Sequence, residues 1–528
     1  MTVTPTLATI DLLVIGVYFV IVTVIGIRVA RQTRTGEDLF LAGRSLTWAT
    51  IGLSLFASNI STTTLIGLAG AAYAHGIAVS AYEWLAGIPL IVLAFVFVPM
   101  FLRARITTIP EYLEVRYDRR ARLYFSAVTI LLTVLVDTAG GLYAGAIVLQ
   151  TFFPGVDLWL FCVAVGLFAG LYTAAGGLRA VVYTDVLQAI VLIVGCSVLT
   201  LVLLDRFDYS FAAVEAAVPT DNLSIVLPVD DSQLPWPGLA TGVVLLGFWY
   251  WVTNQYIVQR VLGAKDLRNA QQGAMLAGAL KLLPLFIMVL PGVMAISIYP
   301  DIPDSDMVFP TLIARALPAG LTGLVLAGLI AAIMSSVDST LNSASTLIVH
   351  DFVQTRGRVL SPETARRYGR VATLIVMVLA IAWAPMIQSF AGLWSYLQQA
   401  FAVVVPPVAA IFLAGAFSRR VNGHGAFWTL AIGHATGVLI FIAREVGWWP
   451  VHFTITVFLM TVFSLISVFL LSRLGERPAA DAIERGVWRP EIALQPGTAS
   501  GFAGALADPR LQAGLVVAGM AATLFAFW

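Results

Sequence analysis

Five ionisable residues stand inside long apolar runs: Glu83, Asp137, Asp185, Lys281 and Asp338. A charge at bilayer depth is costly, so each is a candidate for handling an ion or a polar solute. The bland alternative is pairing that only holds helices together. In the run SLFASNISTTTLIG, hydroxyl and amide side chains crowd from Ser58 to Thr64. Such residues compete for helix backbone bonds, and a helix broken there frees carbonyl oxygens, the hard ligands that suit Na⁺. A seam of small residues between two helices is the competing reading. Farther on, Ser335, Ser339, Asn342 and Ser343 share one helical face, flanked by Ser336 and Asp338. Hydroxyls and a carboxylate without histidine or cysteine suit a hard monovalent cation. The run containing Trp249, Tyr250, Trp251, Asn254, Gln255, Tyr256 and Gln259 sets aromatics beside amides. It reads as an interfacial belt or as a stacking wall for a sugar ring, and Tyr250 and Trp251 favour the wall. Trp84, Trp394, Trp448 and Trp449, near run ends, suit a belt by position.

The elements that must hold these residues are membrane spans. Of 528 residues, 59% are hydrophobic and 11% charged, and the mean hydropathy is +0.91. Soluble domains carry roughly 25% charged residues. Runs of helical length fall at 9–30, 46–73, 77–102, 123–152, 157–175, 180–204, 236–259, 272–299, 309–349, 371–388, 391–416, 425–443, 449–471 and 511–528. The chain is thus read as all-α and polytopic, with about 14 transmembrane helices. The first run differs from a signal peptide: no basic residue precedes it, and Arg28, Arg31 and Arg34 follow it. The stretch 473–510 reads as a linker to a last anchoring helix.

Charge orients the alternating spans. One set of loops collects Arg31, Arg34, Arg44, Arg103, Arg105, Arg116, Arg119, Arg120, Arg260, Lys265, Arg268, Arg356, Arg358, Arg366, Arg367, Arg419 and Arg420. The other set is acidic, with Asp205, Asp208, Glu215, Asp221, Asp230, Asp231, Asp301, Asp304 and Asp306; Arg206 and Arg444 are exceptions. The bias toward basic inner loops places both termini outside, in a cell (inner) membrane protein. Cys162 and Cys196 lie in apolar runs, so no disulfide framework or zinc site is implied. Five scattered histidines, with no catalytic triad or phosphate loop, argue against an enzyme. Nothing points to nucleic acid, and the oligomeric state stays open.

Six stretches together resemble the sodium:solute symporter family, in its sodium/glucose cotransporter-like branch. They are SLFASNISTTTLIGLAG (54–70), TTIPEYLEVRY (107–117), YTAAGGLRAVVYTDVLQ (172–188), NQYIVQR (254–260), LKLLPLFIMVLPG (280–292) and SSVDSTLNSAST (335–346). The resemblance implies a LeuT-like five-plus-five inverted repeat, each repeat starting with an interrupted helix, with one helix before and three after. The divisions would be 1–45, repeat one at 46–204, an outer loop at 205–235, repeat two at 236–417 and accessory helices at 418–528. No Gly-Pro break is visible in the seventh span beyond Gly247.

Carried over by position, the resemblance implies a Na⁺ site of backbone oxygens on Ala57, Ile60 and Ala332 with the hydroxyls of Ser335 and Ser336. It implies a second cation site at Asp185 and Ser339, to which Asp338 adds a carboxylate. A sugar pocket would use Asn59, Thr64, Glu83, Asp137, Tyr250, Trp251, Lys281 and Gln398, gated by Leu68, Tyr82 and Trp394 with Tyr250 below. Thr64 replaces a glutamine of similar sugar transporters, Ala86 a serine, Gly247 an asparagine and Asp137 an asparagine. No arginine is near Asp137, which disfavours an anionic solute. The expectation is inward symport of Na⁺ with a small neutral solute, a monosaccharide or polyol. A non-sugar solute, proton coupling through Asp185 and Asp338, and a membrane sensor are the alternatives.

Overall fold

The computed structural model describes residues 7–31, 35–153, 155–354, 360–389, 393–493, 504 and 506–528, leaving aside the side chains at 30, 172, 175–176, 388–389, 393–396 and 399. Hydrocarbon offers no partner to backbone N–H and C=O groups, so a spanning chain closes its hydrogen bonds within helices. Among the described residues the fold is accordingly helical, and the strand-like pairings are two isolated bridges, Leu46 with Ala264 and Leu227 with Pro235.

The main elements run α1 (Thr9–Ala30), α2 (Trp48–Asn59), α3 (Thr62–His75), α4 (Ile77–Ala104), α5 (Arg119–Phe152), α6 (Leu158–Leu171) and α7 (Gly177–Asp205). They continue with α8 (236–253), α9 (Gln255–Leu262), α10 (Leu267–Ile298), α11 (Leu321–Val353), α12 (Pro362–Ile387), α13 (Leu393–Phe417), α14 (Gly423–Glu445), α15 (Phe453–Leu474) and α16 (Pro509–Ala526). Eleven described helices are long and apolar enough to cross a bilayer, or twelve with the bent pair α2–α3. The expected run 157–175 is the shorter apolar helix α6, and 236–259 is a chain of short helical pieces. Large apolar side chains stay exposed along α1 (Leu13, Val17, Val20), α12 (Ile375, Val378, Leu379) and α14 (Leu439). Such faces belong against lipid, and the chain is a multi-pass membrane protein.

Among the described residues, three breaks shape the bundle. α2 and α3 meet at 59°. Ile60 leaves the helical region there (φ −78°, ψ 79°), and the Ser61 hydroxyl caps α3 by accepting from the Thr64 N–H at 3.2 Å. This is the interruption expected from the serine–threonine run. The seventh span is broken too, at Asn254 (φ −76°, ψ 123°), whose side chain accepts from the Tyr256 N–H at 3.3 Å. Asparagine suits such an N-cap because its carbonyl replaces a missing helix acceptor. Between α6 and α7, Gly177 takes φ +60°, and a Cβ there would sit 2.5 Å from the Leu39 carbonyl oxygen. Only glycine meets both demands.

Among the described residues, six π-helical turns widen the helices: Leu93–Phe97, Thr133–Thr138, Leu239–Val243, Trp249–Thr253, Leu285–Val289 and Ile348–Val353. Such turns recur at functional sites. Here two of them carry Asp137 and the Trp249–Tyr250–Trp251 triplet.

Several sequence expectations are corrected. The run 309–349 is two elements, a short helix Val308–Ala316 and then α11. Apolar content alone cannot show the turn at Gly320, where φ is +87°. Arg116 and Arg260, assigned to loops, are buried inside the protein. Arg116 serves as a cap, donating to the carbonyls of Gly415, Ser418 and Val421 at 2.8, 2.6 and 3.2 Å. Trp84 is 3% exposed and does not face lipid. The linker packs in part on the bundle: Trp488 donates to the Phe95 carbonyl at 2.8 Å, and Tyr112 to that of Gly486 at 2.8 Å.

Candidate functional site

A cavity of about 920 Å³, counting the open space at its mouth, lies between the two broken spans. Its walls include Asn59, Thr64, Tyr82, Glu83, Asp137, Tyr250, Trp251 and Gln398. The backbone explains the convergence. Asn59 ends α2, Thr64 opens α3, and Asp137 and Tyr250 ride on widened π turns. Ser61, Thr63, Trp249, Tyr256 and Phe401 complete much of the remaining surface.

Part of the charge at the cavity wall is neutralised. Lys281 and Glu83 form a buried ion pair, and the Lys281 ammonium also donates to the Asn59 side-chain oxygen. Lys281 itself lies behind the wall, with its Nζ 5.5 Å from the centre of the Trp251 ring. Tyr256 donates to the Tyr250 hydroxyl at 2.6 Å, fixing that ring at the wall. Asp137 lines the cavity and, among the described residues, accepts no hydrogen bond from a protein side chain. Of the expected gate, Tyr82 and Tyr250 line the cavity. Leu68 is fully buried away from it, and the Trp394 side chain lies outside the described set.

The expected cation ligands gather beside the break. Among the described residues, no backbone N–H donates across it to the carbonyls of Ala57 or Ile60. Facing them on α11, Ser336 lines the cavity and donates to the Ala332 carbonyl at 2.9 Å. Ser335 donates to Asp185 Oδ1 at 2.6 Å, which leaves its oxygen lone pairs free to accept a cation. Carbonyl and hydroxyl oxygens together make a hard donor set that fits Na⁺.

Next to this set lies a group that sequence reasoning misplaced. Arg260, on α9, is fully buried and reaches Asp185 Oδ2 at 3.0 Å. It also donates to Ser54 at 2.7 Å, to Ser339 at 2.5 Å, and to Ser58 and the Tyr256 carbonyl. Asp185 accepts further bonds from Ser54 at 2.5 Å and Ser58 at 3.1 Å. Asp338, fully buried one residue before Ser339, accepts from that hydroxyl at 3.2 Å. The signal for Arg260 was present: it follows Gln259 without leaving the apolar-aromatic run.

A second cluster joins α5, α11 and the TTIPEYLEVRY stretch. Arg122 contacts Asp351 and Glu114 at 2.7 Å each, and Asp351 accepts from Thr108 at 2.8 Å and from Ser126. Gln255 accepts from the Ile109 N–H at 2.7 Å, tying α9 to the same stretch. These contacts tie α9, the second half of the broken seventh span, through the 107–117 stretch to α5 and α11.

The sequence profile of the sodium:solute symporter family matches residues 39–433. The chain belongs to this family. Sodium/glucose cotransporter 4 of Danio rerio is 38% identical over 485 residues, covering 84% of this chain and 73% of the relative. Sodium/myo-inositol cotransporter 2 of Homo sapiens is 35% identical over 539 residues, covering 90% and 78%. Among solved structures, the substrate-bound outward-open state of a Na⁺-coupled sialic acid symporter superposes with a TM-score of 0.79 at 22% identity, over 89% of this chain and 99% of that one. That likeness establishes the LeuT-like fold of the symporter. Na⁺ is its coupling ion, moved with a small solute, and the family and these relatives are transporters rather than enzymes.

Proposed function

We propose that this symporter imports a monosaccharide or polyol with Na⁺. The carrying observation is the cavity beside the broken second span: an aromatic wall at Tyr250 and Trp251, and an acid–lysine–amide set at Glu83, Lys281 and Asn59. A sugar ring presents C–H faces that pack on aromatics and hydroxyls that both donate and accept. Glu83 accepts from a hydroxyl, while Gln398 and Asn59 take part through their amides. The curated relatives that carry glucose and myo-inositol support this chemistry. In this reading Na⁺ binds the oxygens of Ala57, Ile60, Ala332, Ser335 and Ser336, bridging α2 and α11. Bridging favours the outward-open conformation, in which the pocket is formed, and that differential affinity is the coupling.

The energetics suffice. A ~10-fold Na⁺ gradient supplies ~1.4 kcal/mol and a ~100 mV potential ~2.3 kcal/mol. Together, about 3.7 kcal/mol sustains roughly 500-fold accumulation of a neutral solute at one Na⁺ each. Purified protein should be stabilised against heat by D-glucose, D-galactose or myo-inositol more strongly with Na⁺ than with choline. Proteoliposome uptake of the stabilising solute should require Na⁺; equal uptake in choline sinks the proposal. In this reading the protein resides in the cell membrane with both termini outside, as the basic bias of the inner loops implies.

The carboxylate of Asp137 favours one second reading, a cationic amino sugar or amine, since this acid meets the solute space directly. Competition of glucosamine against glucose separates the two.

A further inference from the structure

The family profile begins at residue 39 and does not reach α1. Much of this helix is apolar and faces lipid, but one stripe does not. Asp11, Tyr18 and Val22 are buried and share one helical face. The Asp11 carboxylate accepts from the N–H groups of Gly320 and Gly323 at 2.7 Å each, so α1 supplies the cap that α11 lacks of its own. A negative charge at that end also suits the helix dipole. Gly323 permits the approach, since a Cβ there would sit 2.5 Å from the Asp11 Cα. Farther along, Tyr18 and Val22 pack with Ala327, Ile330, Ala331 and Met334 of α11. The Tyr18 hydroxyl accepts from Gln188 Nε2 of α7 at 3.2 Å and faces Met334 Sδ at 3.9 Å. Among the described residues, Gln188 Oε1 has no partner, so Tyr18 alone holds this buried amide.

Tyr18 therefore joins α7 to α11 where they hold cation ligands. Gln188 stands about one helical turn from Asp185, and Met334 adjoins Ser335, which donates to Asp185 Oδ1 at 2.6 Å. We propose that α1 is a clamp across this α7–α11 seam, with Tyr18 a positioning residue for the Na⁺ ligands. Its hydroxyl fixes the Gln188 turn against Met334 and so sets how Asp185 meets Ser335. Asp11 anchors the clamp at the start of α11. Among the described residues, α1 contributes none to the wall of the solute cavity, so the clamp acts on the ion rather than on the solute.

The clamp rests on the placement of Na⁺ at Ser335 and Ser336, and one set of variants separates the two. Na⁺ titrations of D-glucose or myo-inositol uptake into proteoliposomes compare wild type with Tyr18→Phe, Tyr18→Phe/Gln188→Leu and Ser336→Ala. Phenylalanine keeps the ring and removes the bridge. Tyr18→Phe should raise the Na⁺ half-saturation about 3–10-fold, the worth of one ordinary hydrogen bond, and leave the solute half-saturation at saturating Na⁺ unchanged. A merely structural role would lower the denaturation temperature and leave the Na⁺ half-saturation alone, which overturns the proposal. The double variant strands no amide, so it should fold with its Na⁺ half-saturation still raised. A return to the wild-type value overturns the clamp, because the stranded amide would then be the whole effect. The double variant also decides the matter if Tyr18→Phe alone fails to fold. An unchanged value in folded Tyr18→Phe beside a raised one in Ser336→Ala overturns the clamp alone; unchanged values in both overturn the Na⁺ site as well.

Discussion

Replacing Lys281 by methionine isolates the most consequential polar contact of the cavity. Methionine keeps much of the lysine stem's volume and removes the ammonium. Lys281 is fully buried and Glu83 is 5% exposed, so the change strands a carboxylate in a poorly hydrated wall. Breaking a buried pair from one side costs about 3–5 kcal/mol, because the remaining charge has no compensation. Replacing both partners by neutral groups is far cheaper. Lys281→Met should therefore lower the denaturation temperature sharply, and Lys281→Met/Glu83→Gln should recover most of the loss. Solute binding should respond differently. If Glu83 receives a solute hydroxyl, losing that charge-assisted bond in Glu83→Gln costs about 1.5–3 kcal/mol, or roughly 10–150-fold in half-saturation. The double variant would then be stable but poor at uptake. Thermal denaturation of detergent-purified protein and proteoliposome uptake read the two effects separately. The reasoning is refuted if Lys281→Met is as stable as wild type, or if the double variant is no more stable than the single one.

Other expectations follow from the same geometry. Ser336→Ala should raise the Na⁺ half-saturation about tenfold, a loss of about 1.5 kcal/mol, without unfolding the protein; Na⁺ titration of uptake checks this, and an unchanged value counts against the site. Gly177→Ala forces a side chain onto the Leu39 backbone at positive φ, so stability should fall by more than about 2 kcal/mol, visible as early loss of the folded fraction on heating. Asp351→Asn removes the charge that holds Arg122, loosening the junction between α5 and α11; faster exchange of backbone amides in 107–117 should report it.

The span pattern was legible because hydrocarbon imposes a length and composition that the sequence must carry openly. The first break was legible for a related reason: a dense run of hydroxyls has no place on a lipid-facing helix. The second break was not, since one asparagine among aromatics performs the capping at 254 without glycine or proline. Several cavity-lining residues, among them Asn59, Thr64, Tyr82 and Gln398, were named from resemblance, while polarity at depth independently marked Glu83, Asp137 and Lys281. Arg260 was missed because a positive charge near the end of a span reads as a loop anchor. Only three-dimensional packing reveals that Ser54, Ser58, Asp185 and Ser339 converge on it. The π turns were invisible as well, because a single extra residue scarcely disturbs an apolar run.

Those π turns bear on how such a cavity can be acquired or lost. Each is an α-helix with one residue too many, accommodated locally rather than absorbed along the helix. Deleting one residue within Thr133–Thr138 or Trp249–Thr253 would let the helix close, leaving its hydrophobic character almost untouched. Because the extra residue is accommodated locally, the flanking helix would keep its faces, and the residues within the turn itself would change direction. Asp137 or Tyr250 could leave the cavity wall while every span remained long enough to cross the bilayer. A single-residue deletion at either place should therefore change which solute the cavity accepts without rebuilding the scaffold.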